Sequence, residues 1–266
     1  MERIRIATYN IWNSPDRWSQ RLAAMVDDLD ALAADVVALQ EAPCEAAPGR
    51  SLAAYLEAAT AYRHVLHLPY DDDGDDGDRP EGLALLSRFP LREHWTNWGH
   101  GTPAHNNSAA RVHVEIAGAL VGITNVHLDW LDPAGRVRAI AAIVDDLVDR
   151  RPADIEILCG DFNEHDDGPV AARLEASWRD AVSALGTGDA PVTLDFEHNP
   201  RWAGCAVDER SGRFDRIYLR ERGGSAVTVA AAGLFGRDPA NRLGIVPSDH
   251  YGVFVDLALG PALRTR

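Results

Sequence analysis

Short apolar runs that read as strands follow one another directly along this chain, with only a few helical stretches between them. Arg3 to Asn10 and Asp35 to Glu41 are two such runs, separated by helical apolar spacing over Arg17 to Ala34. A helix over Arg50 to Thr60 precedes strand-like "YRHVLHL" and "GLALLS", which flank the polar segment "DDDGDDGDRP". "SAARVHVEI" and "LVGITNVHL" read as a hairpin turning at Ala117-Gly118, with a helix over Asp132 to Arg150 behind it. The strand Ile155 to Cys159, a short helix near Val170 to Ala176, and the strands "RFDRIYL", "AVTVAAAG" and "YGVFVDLAL" complete the series. Adjacent strands without crossover helices argue against a purely parallel, doubly wound sheet. Two mixed β-sheets packed face to face with helices outside fit the order, an α/β arrangement of the α+β kind. No linker or fixed-period repeat divides the 266 residues, so a single domain over 1–266 is expected.

The strands share a second property: they end on polar groups. "DIEILCGDFNEHDDG", Asp154 to Gly168, enters as a buried strand and emerges into Asp161, Asn163, Glu164, Asp166 and Asp167. Asn10 follows "IRIATY", Glu41 follows "VVALQ", His127 follows "GITNV", Asp215 lies within "RFDRIYL", and Asp249-His250 precede "YGVFV". Any one of these is an ordinary turn or cap residue. Together, four carboxylates and two imidazoles at one rim would repel one another unless a cation sat among them. The donors are oxygens without a thiolate, which selects Mg²⁺ or Mn²⁺ over zinc. A hard metal beside an Asp/His pair suits phosphoester hydrolysis.

Charge narrows the substrate. The formal charge is −15 and the basic residues are all Arg, so a long polyanion has little to grip. Arg111 and Arg216, with Arg213 and Arg242, are the candidate phosphate contacts. The acidic segment Asp71 to Asp78 lacks the closing Glu of an EF-hand and is expected to be a solvated loop. Cys44, Cys159 and Cys205 form no C-x-x-C pair, which fits a reducing compartment. With no apolar leader or membrane-length run, a cytoplasmic monomer without membrane partners is expected.

The ordered series "TYNIW", "LQE", "EGLALLSRFP", "TNVHL", "GDFN", "FDRIYL" and "PSDHYGV" resembles the endonuclease/exonuclease/phosphatase (deoxyribonuclease I-like) superfamily. The resemblance spans nearly the whole chain, and "GDFN" with "SDH" is its most specific part. It implies a four-layer α/β/β/α sandwich and a Mg²⁺-dependent phosphoesterase. It further implies Glu41 as principal metal ligand, with Asn10 and Asp249 nearby. Asp161 would orient or activate the attacking water, Asn163 would position it, and His250 with Asp215 would stabilise the transition state or act as base. His127 resembles the second histidine of the deoxyribonuclease I branch, with Glu81 as its carboxylate partner and Arg111 on the substrate phosphate.

The C-terminal third is similar to the 5′-tyrosyl-DNA phosphodiesterases through Thr193, Asp195, Asn199, Phe214 to Ile217 and Pro247 to Gly252. It departs from them at Leu194, where they tend to carry Trp, and at Phe162, where they carry a small hydroxylated residue. Trp12, Trp98, Trp130 and Trp202 are candidate stacking groups in compensation. The resulting expectation is a phosphodiesterase for nucleic-acid ends or nucleotide-like adducts. The alternative is a hydrolase of small phosphorylated metabolites. A non-catalytic binding module is disfavoured, since none of the polar set is missing.

Overall fold

The computed structural model describes residues 2–70, 80–97, 107–185, 191–222, 226–239 and 241–260. The acidic segment Asp71 to Asp78 and Trp98 lie outside them. The chain runs β1 (Glu2–Asn10), α1 (Trp18–Leu32), β2 (Val36–Pro43), a small hairpin of β3 (Glu45–Ala47) and β4 (Arg50–Ser51), and α2 (Leu52–Ala59). It continues with β5 (His64–Pro69), β6 (Glu81–Ser87), β7 (His94–Asn97), β8 (Ser108–Ile116), β9 (Ala119–His127) and α3 (Pro133–Ile143). The last elements are β10 (Ile155–Asp161), α4 (Pro169–Glu175), β11 (Arg179–Asp180), β12 (Asp215–Glu221), β13 (Val227–Phe235) and β14 (Gly252–Leu259). The long helix expected over Asp132 to Arg150 is present, but its second half widens to a π-helical stretch at Val144–Asp149. The strands β3, β4, β7 and β11 were not expected; segments of two to four residues are too short to show a period.

Two six-stranded sheets result, ordered β13-β14-β1-β2-β6-β5 and β11-β12-β10-β9-β8-β7. Each holds one parallel pair, β1 with β2 and β9 with β10, joined through α1 and α3 respectively. The remaining pairings within the two sheets are antiparallel, so both are mixed. The two-residue period of a strand assigns each side chain to a layer. Ile4 and Ile6, Val36 and Ala38, Val121 and Ile123, Ile155 and Ile157, and Ile217 and Leu219 pack between the sheets. Ala7, Tyr9, Val37 and Leu39 face α1 and α2 on one outside. Ala109, Val126, Leu158 and Tyr218 face α3 and α4 on the other. The four-layer sandwich is therefore present. Among the described residues no helix is long and apolar enough to cross a membrane.

The same period carries the inward parity to the strand ends. Asn10 continues Ile4 and Ile6, His127 continues Val121 and Ile123, Asp161 continues Ile155 and Ile157, and Asp215 begins the series of Ile217 and Leu219. Asp161 stands level with His127 on one side and Asp215 on the other. Just before it, Gly160 has φ +141°, and a Cβ there would lie 2.0 Å from the Val126 carbonyl oxygen. Gly160→Ala is therefore expected to destabilise the protein by about 2–3 kcal/mol, through strain and overpacking at once. A urea midpoint unchanged from wild type would show that the strand relaxes without loss.

Candidate active site

Glu41 reaches the rim through an irregularity. Pairing between β2 and β6 shifts between Leu39 and Ala42, and Glu41 adopts φ 50°. In regular alternation it would follow Val37 and Leu39 toward α1; the bulge turns it inward. Its Oε1 accepts from Asn10 Nδ2 at 2.9 Å and its Oε2 from the Asn13 backbone N–H at 3.0 Å. Trp12 and Asn163 share the left-handed conformation, at φ 56° and 48°. Left-handed non-glycine backbone at a cavity is one way a fold aims side chains into a site.

The carboxylates and imidazoles converge. Asn10 Nδ2 bridges Glu41 to Asp161 Oδ2, the latter at 3.0 Å. His127 Nε2 lies 3.9 Å from both Glu41 Oε1 and Asp161 Oδ2. His250 Nε2 lies 3.9 Å from the same Asp161 oxygen, while its Nδ1 donates to Asp215 Oδ2 at 2.9 Å. The Asn163 backbone N–H donates to Asp161 Oδ1 at 2.9 Å, and the Asn163 side-chain amide donates to the Leu128 carbonyl at 2.7 Å. Ser248 Oγ donates to the Asn10 carbonyl at 2.7 Å, tying the Asp249-His250 turn to the end of β1. An open cavity of about 320 Å³ is lined by Glu41, Glu81, His127, Asp161, Asn163, Asp249 and His250, with Trp12, Leu128 and Trp130 on its walls.

Burial and neighbouring charges pull three of these groups in different directions. Burial opposes the charge on His250, but Asp215 and Asp161 outweigh it and hold the ring's pKa well above its usual 6.5. Burial likewise opposes ionisation of Asp161, yet His250, His127 and Asn10 together hold its carboxyl below the ordinary range. Asp249 goes the other way: burial, aided by the charge on Glu41, pushes it up to about 7. His250 offsets only part of the burial, so the shift marks a carboxyl cut off from water rather than an excess of charge. The oxygen donors of Glu41, Asp161 and Asp249 suit a hard divalent cation, and Asp161, Asp215 and His250 each place a donor atom within 4.8 Å of the others. In that second trio one atom of His250 and one of Asp215 already share a hydrogen bond. The residues thus fit the expected metal.

Several expectations need correction. Arg111 is fully buried on the outer face of β8, where it donates to Glu156 Oε2 at 2.8 Å, Thr124 Oγ1 at 3.0 Å and the Arg151 carbonyl at 2.8 Å. Arg216 adjoins Asp215 in a strand and so must face the opposite way; it donates to the Glu164 carbonyl and stacks on Phe162. Neither lines the cavity. Arg213 is held by Asp180 at 2.6 Å and Arg242 by Asp27 at 3.0 Å. Asn10 turns its amide N–H, not its oxygen, toward the carboxylates, because Oδ1 accepts from the Trp12 N–H at 3.0 Å. It clamps the carboxylates rather than serving as a first choice of ligand. Glu81 lines the cavity, but the partner of His127 Nδ1 is the Tyr70 hydroxyl at 3.3 Å.

Tyr70 carries no sequence signal of this role: it follows Pro69 at the end of β5, and its partner His127 lies 57 residues further on. Thr193 and Asn199, recognised only as parts of a pattern, are braces. Thr193 Oγ1 accepts from the backbone N–H groups of Phe214 and Asp215, both at 3.0 Å. Asn199 donates to the carbonyls of Ser248 and Asp249 at 3.0 and 2.9 Å. Trp202 packs edge-on against Phe196 at 4.9 Å, whereas Trp12 and Trp130 stand at the cavity.

A family model described as the endonuclease/exonuclease/phosphatase family matches residues 7–250. Among solved structures, D. rerio TDP2 complexed with a single-strand DNA product is similar with TM-score 0.77 at 21% identity, covering 97% of this chain and 100% of that one. A functionally unknown conserved protein from Enterococcus faecalis V583 gives TM-score 0.74 at 21% identity, over 97% and 100%. An endonuclease/exonuclease/phosphatase from Beutenbergia cavernae DSM 12333 gives 0.69 at 24% identity, over 98% and 73%. At these identities the structures show a shared fold. No curated protein matches the chain in sequence. The family match takes in every strand end that meets at the rim, from Asn10 to His250, and the chain belongs to the endonuclease/exonuclease/phosphatase family.

Proposed function

We propose that the protein is a Mg²⁺- or Mn²⁺-dependent phosphodiesterase acting on nucleic-acid ends or nucleotide-like adducts, as a cytoplasmic monomer. The observation that carries the reading is the convergence of Glu41, Asp161 and Asp249 with His127 and His250 on one open cavity. A hard cation held by Glu41 and Asp249, with Asp161 within reach, would polarise the phosphoryl oxygen and offset its developing charge. Asp161, held ionised, orients the attacking water from the side of Asn163. His250, held protonated by Asp215, donates to a phosphoryl oxygen as negative charge grows there. His127, braced by Tyr70, faces the same centre from β9 and can donate to a second oxygen or to the leaving group.

Metal binding and protonation of Asp249 compete. As pH falls below about 7 the carboxyl takes up its proton, so the apparent Mg²⁺ affinity is expected to weaken. Calorimetric Mg²⁺ titrations at pH 6 and pH 8 check this; equal affinities would remove Asp249 from the ligand set.

Trp130 is 69% exposed and its neighbour Leu131 66%, beside a cavity that would take a terminal phosphoester. A base stacked on an aromatic platform contributes about 1–3 kcal/mol. Trp130→Ala is expected to raise KM about tenfold for single-stranded DNA ends while leaving kcat nearly unchanged. An unaltered KM would exclude stacking there. With no Arg on the cavity wall among the described residues, terminal or short esters should be cleaved much faster than internal duplex bonds.

The same lack of basic groups favours a second reading, a small phosphorylated metabolite. A hydrolysis panel separates the two. Single-stranded DNA, 5′-tyrosyl DNA, abasic DNA, bis-p-nitrophenyl phosphate, p-nitrophenyl phosphate and sugar phosphates should be compared side by side. Preference for DNA ends supports the first reading, preference for sugar phosphates the second, and efficient nicking of supercoiled plasmid at physiological salt contradicts both.

A further inference from the structure

We infer that Arg21, on the first turn of α1, is a positioning residue that locks together the loop after β1, whose backbone N–H groups hold Asn10 and Glu41, and the turn that carries Asp249, so fixing the carboxylates for metal. The inference rests on the proposed metal site. Arg21 is fully buried. Its Nε donates to the Asp16 carbonyl at 2.8 Å; Nη1 donates to Ile11 and Pro247 at 3.2 and 2.8 Å; Nη2 donates to Trp12 and Ser14 at 2.9 and 2.6 Å. All five N–H donors of the guanidinium are thus engaged by backbone carbonyls, four in the loop after β1 and one just before Ser248. Its faces lie against Trp12 and Trp18, 4.6 and 5.3 Å from the ring centroids.

A guanidinium buried without a bonded carboxylate is an unusual anchor for a surface loop. Burial pushes its pKa down to about 10, which leaves it charged at neutral pH. Its contacts explain the rim geometry. The Ile11 to Asp16 loop supplies the Trp12 N–H to Asn10 Oδ1 and the Asn13 N–H to Glu41 Oε2. The Pro247 carbonyl fixes the start of the turn in which Ser248 Oγ lies 3.3 Å from Asp249 Oδ1. One side chain therefore joins the two loops on which the carboxylates depend. Arg21 touches neither the cavity nor the reacting atoms, so its effect passes through those loops.

Lys at this position keeps the charge but cannot reproduce the five-donor fork. Arg21→Lys is expected to weaken Mn²⁺ binding to the stripped protein, measured by calorimetry, by at least about tenfold. Arg21→Met should weaken it further. Unchanged Mn²⁺ affinity in a folded Arg21→Lys protein, whatever its melting temperature, overturns the inference. Should the variants not fold, hydrogen exchange on the wild type decides. Residues 11–16 and 247–250 should gain protection together, with one midpoint in Mn²⁺; protection of one loop alone overturns the coupling. Absence of Mn²⁺ binding to the wild type would instead sink the metal site itself.

Discussion

Asp161→Asn is expected to lower kcat by about 10²–10³-fold while leaving the fold intact. The carboxylate receives the Asn10 amide on one oxygen and the Asn163 N–H on the other, and stands 3.9 Å from both imidazole Nε2 atoms. An amide of the same shape keeps one acceptor, loses the charge that both rings face, and cannot hold water against the phosphorus in the same way. The melting temperature of the metal-free protein should fall modestly, because His250, His127 and Asn10 favour the ionised carboxylate in the folded chain and that stabilisation is lost with the charge. Steady-state kinetics with a saturating phosphodiester check this. Turnover near wild type would remove Asp161 from the chemistry.

His250→Ala is expected to match or exceed that loss, and Asp215→Asn reveals the reason. Asp215 is the largest of the charges that keep the buried ring protonated. If His250 acts as imidazolium, kcat falls as pH rises through its elevated pKa. Asp215→Asn lowers that pKa, so the alkaline limb of the kcat profile should move to lower pH. An alkaline limb at an unchanged position would contradict the role. Stability follows the same sign. The raised pKa contributes stability that is fully present below the ordinary 6.5 and is lost as pH rises through the folded value.

Much of this was legible because strands impose a period of two. Asn10, His127, Asp161 and Asp215 keep the parity of the Ile and Val residues before them, so their convergence between the sheets followed from the sequence pattern. The same period could have excluded the two arginines. Arg216 is next to Asp215, and Arg111 shares the parity of Ala109, which faces α3. Glu41 stands out in the sequence as a strand-end carboxylate, and family resemblance makes it the principal metal ligand, whereas its inward turn depends on a bulge with no local sequence mark. Tyr70 and Arg21 are illegible for another reason. Each acts on residues far away in the chain, Tyr70 on His127 and Arg21 on Pro247, and only the packed sheets bring them together. Thr193 and Asn199 belong to the same class, since their bonds run to backbone groups more than twenty residues away.

Hydrolysis of bis-p-nitrophenyl phosphate by metal-stripped protein is the most direct test of a metal-dependent phosphodiester centre at this rim. Chelator is expected to abolish turnover, added Mg²⁺ or Mn²⁺ to restore it fully, and Glu41→Gln to need much more Mg²⁺. Undiminished turnover by the stripped protein, or a Glu41→Gln variant with the wild-type Mg²⁺ requirement, would contradict such a centre.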